Sequence, residues 1–156
     1  MPVVQWSHAS RAPADFLQLK GPLARVKVGR HIPHPERPLQ ERTQWLKDIQ
    51  SRSEVDALVD TGAFVSCIDT DFADLSGLQV IDTGEVTVHG VGGATKASVY
   101  MGLIFVSASP DIHFNGRLYG IKNLGKNSNP VIIGRDFLKR GLLVYSGFTG
   151  QFSFAM

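Results

Sequence analysis

The sequence contains a single cysteine, Cys67, among its 156 residues. One cysteine cannot form a disulfide within the chain, so a disulfide-stapled fold is excluded and folding needs no oxidising compartment. Because Cys67 stands in an apolar stretch typical of a strand, we interpret it as a packed core residue rather than a nucleophile.

Long apolar runs are also missing. The longest, Val99–Val106, is too short to span a bilayer, and the first residues lack the charged start and apolar run of a signal peptide. We therefore expect a soluble, cytoplasmic protein without membrane contact.

An excess of charge of one sign is absent as well, since 16 Lys and Arg face 14 Asp and Glu. No dense basic run occurs, so the electrostatic pattern of a nucleic-acid binder is missing. His31 and His34, with a proline between them, are not spaced like zinc ligands. The segment G-V-G-G-A-T-K lacks the Gly-Lys-Ser/Thr ending of a phosphate loop. We expect no nucleic-acid partner, no metal and no organic cofactor.

The length predicts one domain. Residues 1–22 are predicted to form an N-terminal arm, and residues 23–156 the domain itself. An insertion at about 31–53 opens with three prolines, which prevent regular structure there. Its second half, from Leu39 to Ile49, predicts a short amphipathic helix.

Most of the remaining sequence predicts β-strands separated by glycine-containing turns. Residues 23–30 alternate apolar and basic residues, which is typical of a half-buried strand. Turn signals recur every 8–12 residues, and two short helical turns are predicted, one before Gly77 and one before Gly141. The pattern favours an all-β domain, either a closed β-barrel or a sandwich.

The tripeptide Asp-Thr-Gly occurs twice, at Asp60–Gly62 and at Asp82–Gly84. Leu58 and Val59 lead directly into Asp60, and a carboxylate at the end of a buried strand costs free energy unless it is paired or hydrogen-bonded. A plain turn between two strands is the simplest interpretation of either tripeptide taken alone.

Two further motifs follow the first tripeptide. The segment H-G-V-G-G, residues 89–93, predicts a glycine-tipped hairpin, and V-I-I-G-R-D-F-L covers residues 131–138. In this order and spacing, the three motifs resemble those of the retropepsin-like aspartic proteases. The resemblance covers roughly Arg25 to Phe154 and implies a retropepsin-like acid-protease fold with a flap hairpin and one short helix near the C-terminus.

The resemblance implies a role for each matching residue. Asp60 would be the catalytic aspartate, Thr61 would hydrogen-bond its twin across a dimer, and the Gly62 carbonyl would accept a hydrogen bond from substrate. The final strand, Gln151–Phe154, would interleave with its copy. Further substrate-binding residues would be Ala63, Phe64 and the flap residues Gly90, Val91, Gly92 and Gly93. Support for the catalytic loop would come from Ile133, Gly134, Arg135 and Asp136.

A single catalytic Asp per chain implies a homodimeric endopeptidase that hydrolyses polypeptide substrates. In a two-fold dimer, Asp60 meets its own copy. Two carboxylates about 3 Å apart share one proton, so one activates a water while the other polarises the scissile carbonyl. Activity should favour mildly acidic pH.

Asp82 is an unsuitable partner for Asp60 within the same chain. Two-halved enzymes need a half-domain of about 100 residues around each turn, and 22 positions separate the tripeptides. We predict a plain turn at Asp82–Gly84.

Two residues depart from the family pattern. Phe64 stands where retroviral members often have an acidic residue that pairs with the arginine equivalent to Arg135, so Arg135 must find another partner. His89 stands where the flap often has a glycine.

Two alternative functions remain open. One is a catalytically inactive retropepsin-like domain that dimerises or binds peptides, and the other is an unrelated monomeric β-barrel binding module.

Overall fold

The computed structural model describes residues 2–7, 13–31, 44, 47–49, 51–90, 93–126 and 129–156. Strands dominate this part of the chain, which confirms the predicted all-β class. The strands are β1 (Val3–Ser7), β2 (Leu23–Arg30), β3 (Val55–Val59), β4 (Cys67–Asp69), β5 (Gln79–Gly90), β6 (Gly93–Val106), β7 (Ser109–Ile121), β8 (Val131–Ile133), β9 (Leu142–Ser146) and β10 (Gln151–Ala155). The helices are α1 (Pro13–Lys20), α2 (Thr70–Leu75), α3 (Arg135–Leu138) and a 3-10 turn at Leu124–Lys126.

The main sheet closes into a ring. Its strand order is β2-β3-β8-β4-β7-β6-β5, and β2 also pairs with β6. The alternation along β2 explains its place, because Ala24, Val26 and Val28 are buried while Arg25 between them is exposed. The ring encloses the apolar core, and it brings β3 and β8 side by side as a parallel pair.

A second sheet of three strands, in the order β1-β10-β9, covers one side of the ring. Its inner face carries Val4 and Phe154, which belong to the same core, and Phe154 packs at 5.4 Å from the ring of Phe137 on α3. β10 is the middle strand and pairs on both sides within its own chain, so the two unpaired edges of this sheet belong to β1 and β9. Interleaving of the final strand with its copy in a dimer stays a prediction.

The N-terminal residues form more regular structure than their mixed sequence predicts, since both β1 and α1 lie there. The division into an arm at 1–22 and a domain at 23–156 stays a prediction. Most of the predicted helix at 39–49 lies outside the described residues, although Gln44 and residues 47–49 are helical.

The predicted turn at Asp82 is wrong. Asp82 lies within β5, paired with Val99, at an irregularity where the register against β6 shifts before Val86. A β-bulge accommodates extra residues without ending the strand, and turn-forming residues are common there. In the part of the chain that the structure describes, no helix is long and apolar enough to cross a membrane.

Candidate active site

The loop that follows β3 carries Asp60 in a tightly hydrogen-bonded turn. The Asp60 N–H donates to the Ile133 carbonyl at 2.9 Å, and the Ala63 N–H donates to the Asp60 carbonyl at 3.2 Å. The Gly62 N–H donates to Asp60 Oδ1 at 2.8 Å. One oxygen of the carboxylate is therefore held by the loop itself, while Thr61 and Gly62 are exposed to solvent.

Helix α3 and the residues before it support this loop from below. Ile133 accepts the Asp60 N–H from β8, and the Arg135 N–H donates to the Ala63 carbonyl at 2.9 Å. Gly134 lies directly against the backbone of Val65. The structure thus brings together the two segments that the sequence predicted to cooperate, 60–63 and 133–136.

A buried hydroxyl joins the two segments, in a role that the sequence motifs did not predict. Ser66 is fully buried, and its Oγ donates to Asp136 Oδ1 at 2.6 Å and accepts from the Gly134 N–H at 3.0 Å. The Ser66 N–H donates to Asp136 Oδ2 at 3.0 Å, and the Phe137 N–H donates to Asp136 Oδ1 at 2.9 Å. Asp136 therefore ties the loop to α3 through its carboxylate. A serine inside an otherwise apolar run indicates a buried hydroxyl, but it does not indicate which residue that hydroxyl bonds.

Among the residues that the structure describes, Arg135 contacts an aromatic partner rather than an acidic one. Its Cζ lies 5.5 Å from the centroid of the Phe64 ring, which is within the range of a cation–π contact. Phe64 is 76% exposed. Phe64, where the sequence departs from the family pattern, therefore forms a stacked pair with Arg135 at the rim of the loop.

Cys67 lies behind the loop at the start of β4. Burial raises the pKa of its thiol to about 11, and the nearby carboxylates of Asp136 and Asp60 contribute in the same direction. A thiol in this environment stays protonated at neutral pH and is a poor nucleophile. Its burial agrees with the predicted role as a packed residue.

The glycine-tipped hairpin is formed by β5 and β6, where Gly90 pairs with Gly93. Gly93 has a φ of 105°, a backbone conformation that favours glycine. Val91 and Gly92, also predicted as flap residues, lie outside the described residues. His89 is exposed and pairs with Ala94. Within the described part of the chain, neither Gly90 nor Gly93 hydrogen-bonds the Asp60 loop.

We expect Gly134→Ala to destabilise the protein by about 1–3 kcal/mol or more, the usual cost of overfilling a packed site. A Cβ at Gly134 would approach the carbonyl carbon and oxygen of Val65 to 2.5 Å, so the backbone must shift. Gly147→Ala is the matched control, because its Cβ would meet only Tyr145 at an ordinary 3.6 Å. Urea denaturation of both variants measures the difference, and equal midpoints would contradict the close packing of loop and helix.

A closed β-domain with one Asp-Thr-Gly loop, supported by a short C-terminal helix, defines the structural class of an acid protease. The model of the aspartyl protease family matches residues 48–137, which is 90 of the 156 residues. The chain therefore belongs to the aspartyl protease family, and the resemblance to aspartic proteases found in the sequence is confirmed.

Among solved structures, the chain is similar to the retropepsin-like aspartic protease from Rickettsia conorii, at 13% identity and a TM-score of 0.49, over 98% of this chain and 91% of that one. It is also similar to the EIAV protease in complex with the inhibitor HBY-793, at 19% identity and a TM-score of 0.47, over 76% and 86%. A third is the simian foamy virus (mac) protease, at 10% identity and a TM-score of 0.43, over 76% and 92%. The comparison with curated proteins gave no match.

Proposed function

We propose that the protein is an aspartic endopeptidase that acts as a homodimer with one Asp60 from each chain. The observation that carries this proposal is the Asp60 loop itself. Its carboxylate is oriented by the Gly62 N–H, and its backbone is anchored to Ile133, while Thr61 and Gly62 remain open to solvent. Such a loop presents one oriented, partly exposed carboxylate, as half of an acid-protease site would.

The second carboxylate would be Asp60 of the partner subunit. Two carboxylates in contact share one proton, because both cannot be charged at that distance. The ionised one takes a proton from water as the water attacks the peptide carbonyl, and the protonated one donates to the carbonyl oxygen. The resulting tetrahedral species then collapses with loss of the amine. No covalent bond to the enzyme forms.

The substrate would bind as an extended chain between the Asp60 loop and the β5–β6 hairpin. In this arrangement the Gly62 carbonyl accepts a hydrogen bond from the substrate backbone, and Ala63 and Phe64 line the cleft beside it. Backbone N–H groups at the tip, residues 90–93, hold the other side of the substrate. Gly90 and Gly93 support this assignment, because they pair at the base of the hairpin tip and carry no side chains that would block a substrate there.

The surface that would join the two chains is the free edge of β9. β9 pairs only with β10 among the described strands, and three of its side chains are exposed large hydrophobics, namely Leu142, Val144 and Tyr145. Unpaired edges of this kind favour pairing with another chain. Leu143, which lies between Leu142 and Val144 on β9, lines a small apolar cavity with Val59, which directly precedes Asp60. Pairing of β9 with its copy would therefore lie close beneath the two Asp60 loops.

We expect the purified protein to cleave peptides from a random library fastest at mildly acidic pH, between about pH 4 and pH 7. The direction follows from the shared proton, since deprotonation of the pair at higher pH removes the acid that polarises the carbonyl. Mass spectrometry of the products and light scattering on the same sample test activity and dimerisation together. A dimer without cleavage would favour the alternative, an inactive domain that dimerises or binds peptides.

A further inference from the structure

The exposed pair of Phe64 and Arg135 is a feature that catalysis by Asp60 does not need. The ring of Phe64 is 76% exposed, and the guanidinium of Arg135 lies over it at 5.5 Å. An exposed aromatic ring beside a binding cleft offers a flat apolar surface of considerable area. A guanidinium stacked on such a ring keeps its N–H groups available for a carboxylate.

Arg135 has no carboxylate partner in the described part of the chain. The two ion pairs found there both belong to Arg25. The adjacent acidic side chain, Asp136, is occupied by Ser66 and the Phe137 N–H. Among the described residues, the positive charge of Arg135 is therefore not compensated by contact with a carboxylate.

The position of this charge connects it to the candidate active site. The Arg135 N–H donates to the Ala63 carbonyl, and Phe64 is the next residue after Ala63. Phe64 thus belongs to the loop that begins at Asp60, and Arg135 to the helix whose first residue is hydrogen-bonded to that loop. A substrate residue a few positions from the scissile bond would reach them.

We propose that Phe64 and Arg135 form a subsite for an acidic side chain of the peptide substrate, and this inference rests on the proposed function. The carboxylate of a glutamate or aspartate would accept hydrogen bonds from the Arg135 guanidinium, a planar group that can donate two parallel hydrogen bonds to one carboxylate. The methylene groups of the same side chain would lie against the Phe64 ring.

Other side chains fit this subsite less well. A lysine or arginine would be repelled by Arg135. A purely apolar side chain would pack on Phe64 but would cover the guanidinium without offering an acceptor, and desolvation of an unpaired charge is costly. The acidic side chain satisfies both members of the pair at once.

The test compares peptides that differ only in Glu or Gln, placed in turn at each of the four positions on either side of the cleaved bond. At one of these positions we expect kcat/KM to be about five- to tenfold higher for Glu, as for a hydrogen-bonded charge pair partly shielded from water. The preference should shrink as salt is added, because the interaction is screened.

Three variants identify the residues responsible. Arg135→Gln should remove the Glu preference. Phe64→Asp should remove it too, because the new carboxylate at residue 64 would pair with the Arg135 guanidinium in place of the substrate. Arg140→Gln is the matched control, because Arg140 is another cation stacked on a phenylalanine, Phe114. The control should keep the preference, and urea midpoints check that all three variants fold.

The outcomes separate this inference from the proposed function. Hydrolysis of Glu and Gln peptides at equal rates at every position overturns the proposed subsite but does not contradict the proposed endopeptidase activity. Absence of any hydrolysis contradicts the endopeptidase, and fluorescence anisotropy with the same peptides then decides the subsite. Tighter binding of Glu that Arg135→Gln abolishes would support it, and equal affinities would overturn it.

Discussion

Replacing Asp60 by Asn is expected to reduce peptide hydrolysis by about 100- to 10,000-fold, the usual contribution of general acid–base catalysis. The amide cannot take a proton from the attacking water. Folding should be preserved, because the amide oxygen of Asn can accept the Gly62 N–H as Asp60 Oδ1 does. Initial rates on one cleaved peptide, with a urea midpoint for each protein, measure the effect.

Asp82→Asn is the matched control for this experiment, because Asp82 begins the second Asp-Thr-Gly of the chain. It lies exposed on β5 at an irregularity of the strand. We expect the control to retain most of the activity. Loss of activity in Asp82→Asn with retention in Asp60→Asn would contradict the assignment of the catalytic aspartate.

A mixing experiment distinguishes a site made by two chains from a site made by one. If each active site needs Asp60 from both chains, an equal mixture of wild-type and Asp60→Asn chains that exchange freely contains about one quarter wild-type dimers. The mixture should therefore have about a quarter of the activity of the same total amount of wild-type protein. An activity of one half would contradict the shared site.

Val144→Lys is expected to weaken dimerisation by about 100-fold or more, since like charges brought together at an interface cost several kcal/mol. Val144 is 50% exposed on β9, whose outer edge has no partner strand in the described part of the chain. A lysine on an edge strand is tolerated in the monomer and opposes pairing with a second edge. Light scattering over a concentration series should show monomers, and hydrolysis should fall in parallel.

Two further proteins sharpen this test. Leu75→Lys introduces the same charge at an 86% exposed leucine on α2 and should leave the dimer intact. Mixing Val144→Lys chains with Val144→Glu chains should restore both the dimer and the hydrolysis, because opposite charges then meet across the interface. A dimer that forms equally well with Val144→Lys would contradict the assignment of β9 as the joining edge.

The strands that alternate or that follow clear turn signals could be predicted from the sequence. β2 occupies the predicted residues 23–30, and α2 ends shortly before Gly77, where a positive φ makes glycine favourable. Local patterns sufficed in these cases because each element's burial follows from its own side chains. The β1 strand and helix α1 escaped prediction because their structure depends on pairing with β10 and packing on a distant core.

Within the candidate site, the same division holds between local and distant contacts. The Asp60 turn could be predicted, since the two hydrogen bonds that close it, donated by the Gly62 and Ala63 N–H groups, join residues two or three positions apart. The link from Ser66 to Asp136 could not, because 70 positions separate the two residues. The stacking of Arg135 on Phe64 could not be predicted either. The sequence showed only that residue 64 is not the acidic residue often found at that position.

The sequence by itself therefore determined the family, the all-β class and the residues of the Asp60 turn, because motifs and periodicity are properties of short segments. Tertiary structure alone decided which strands have a free edge, that Asp82 lies within β5, and that Ser66 and Asp136 join the loop to α3. These features depend on which distant segments become neighbours, and hydrogen bonds and packing across the closed sheet select that arrangement only once the whole chain has folded.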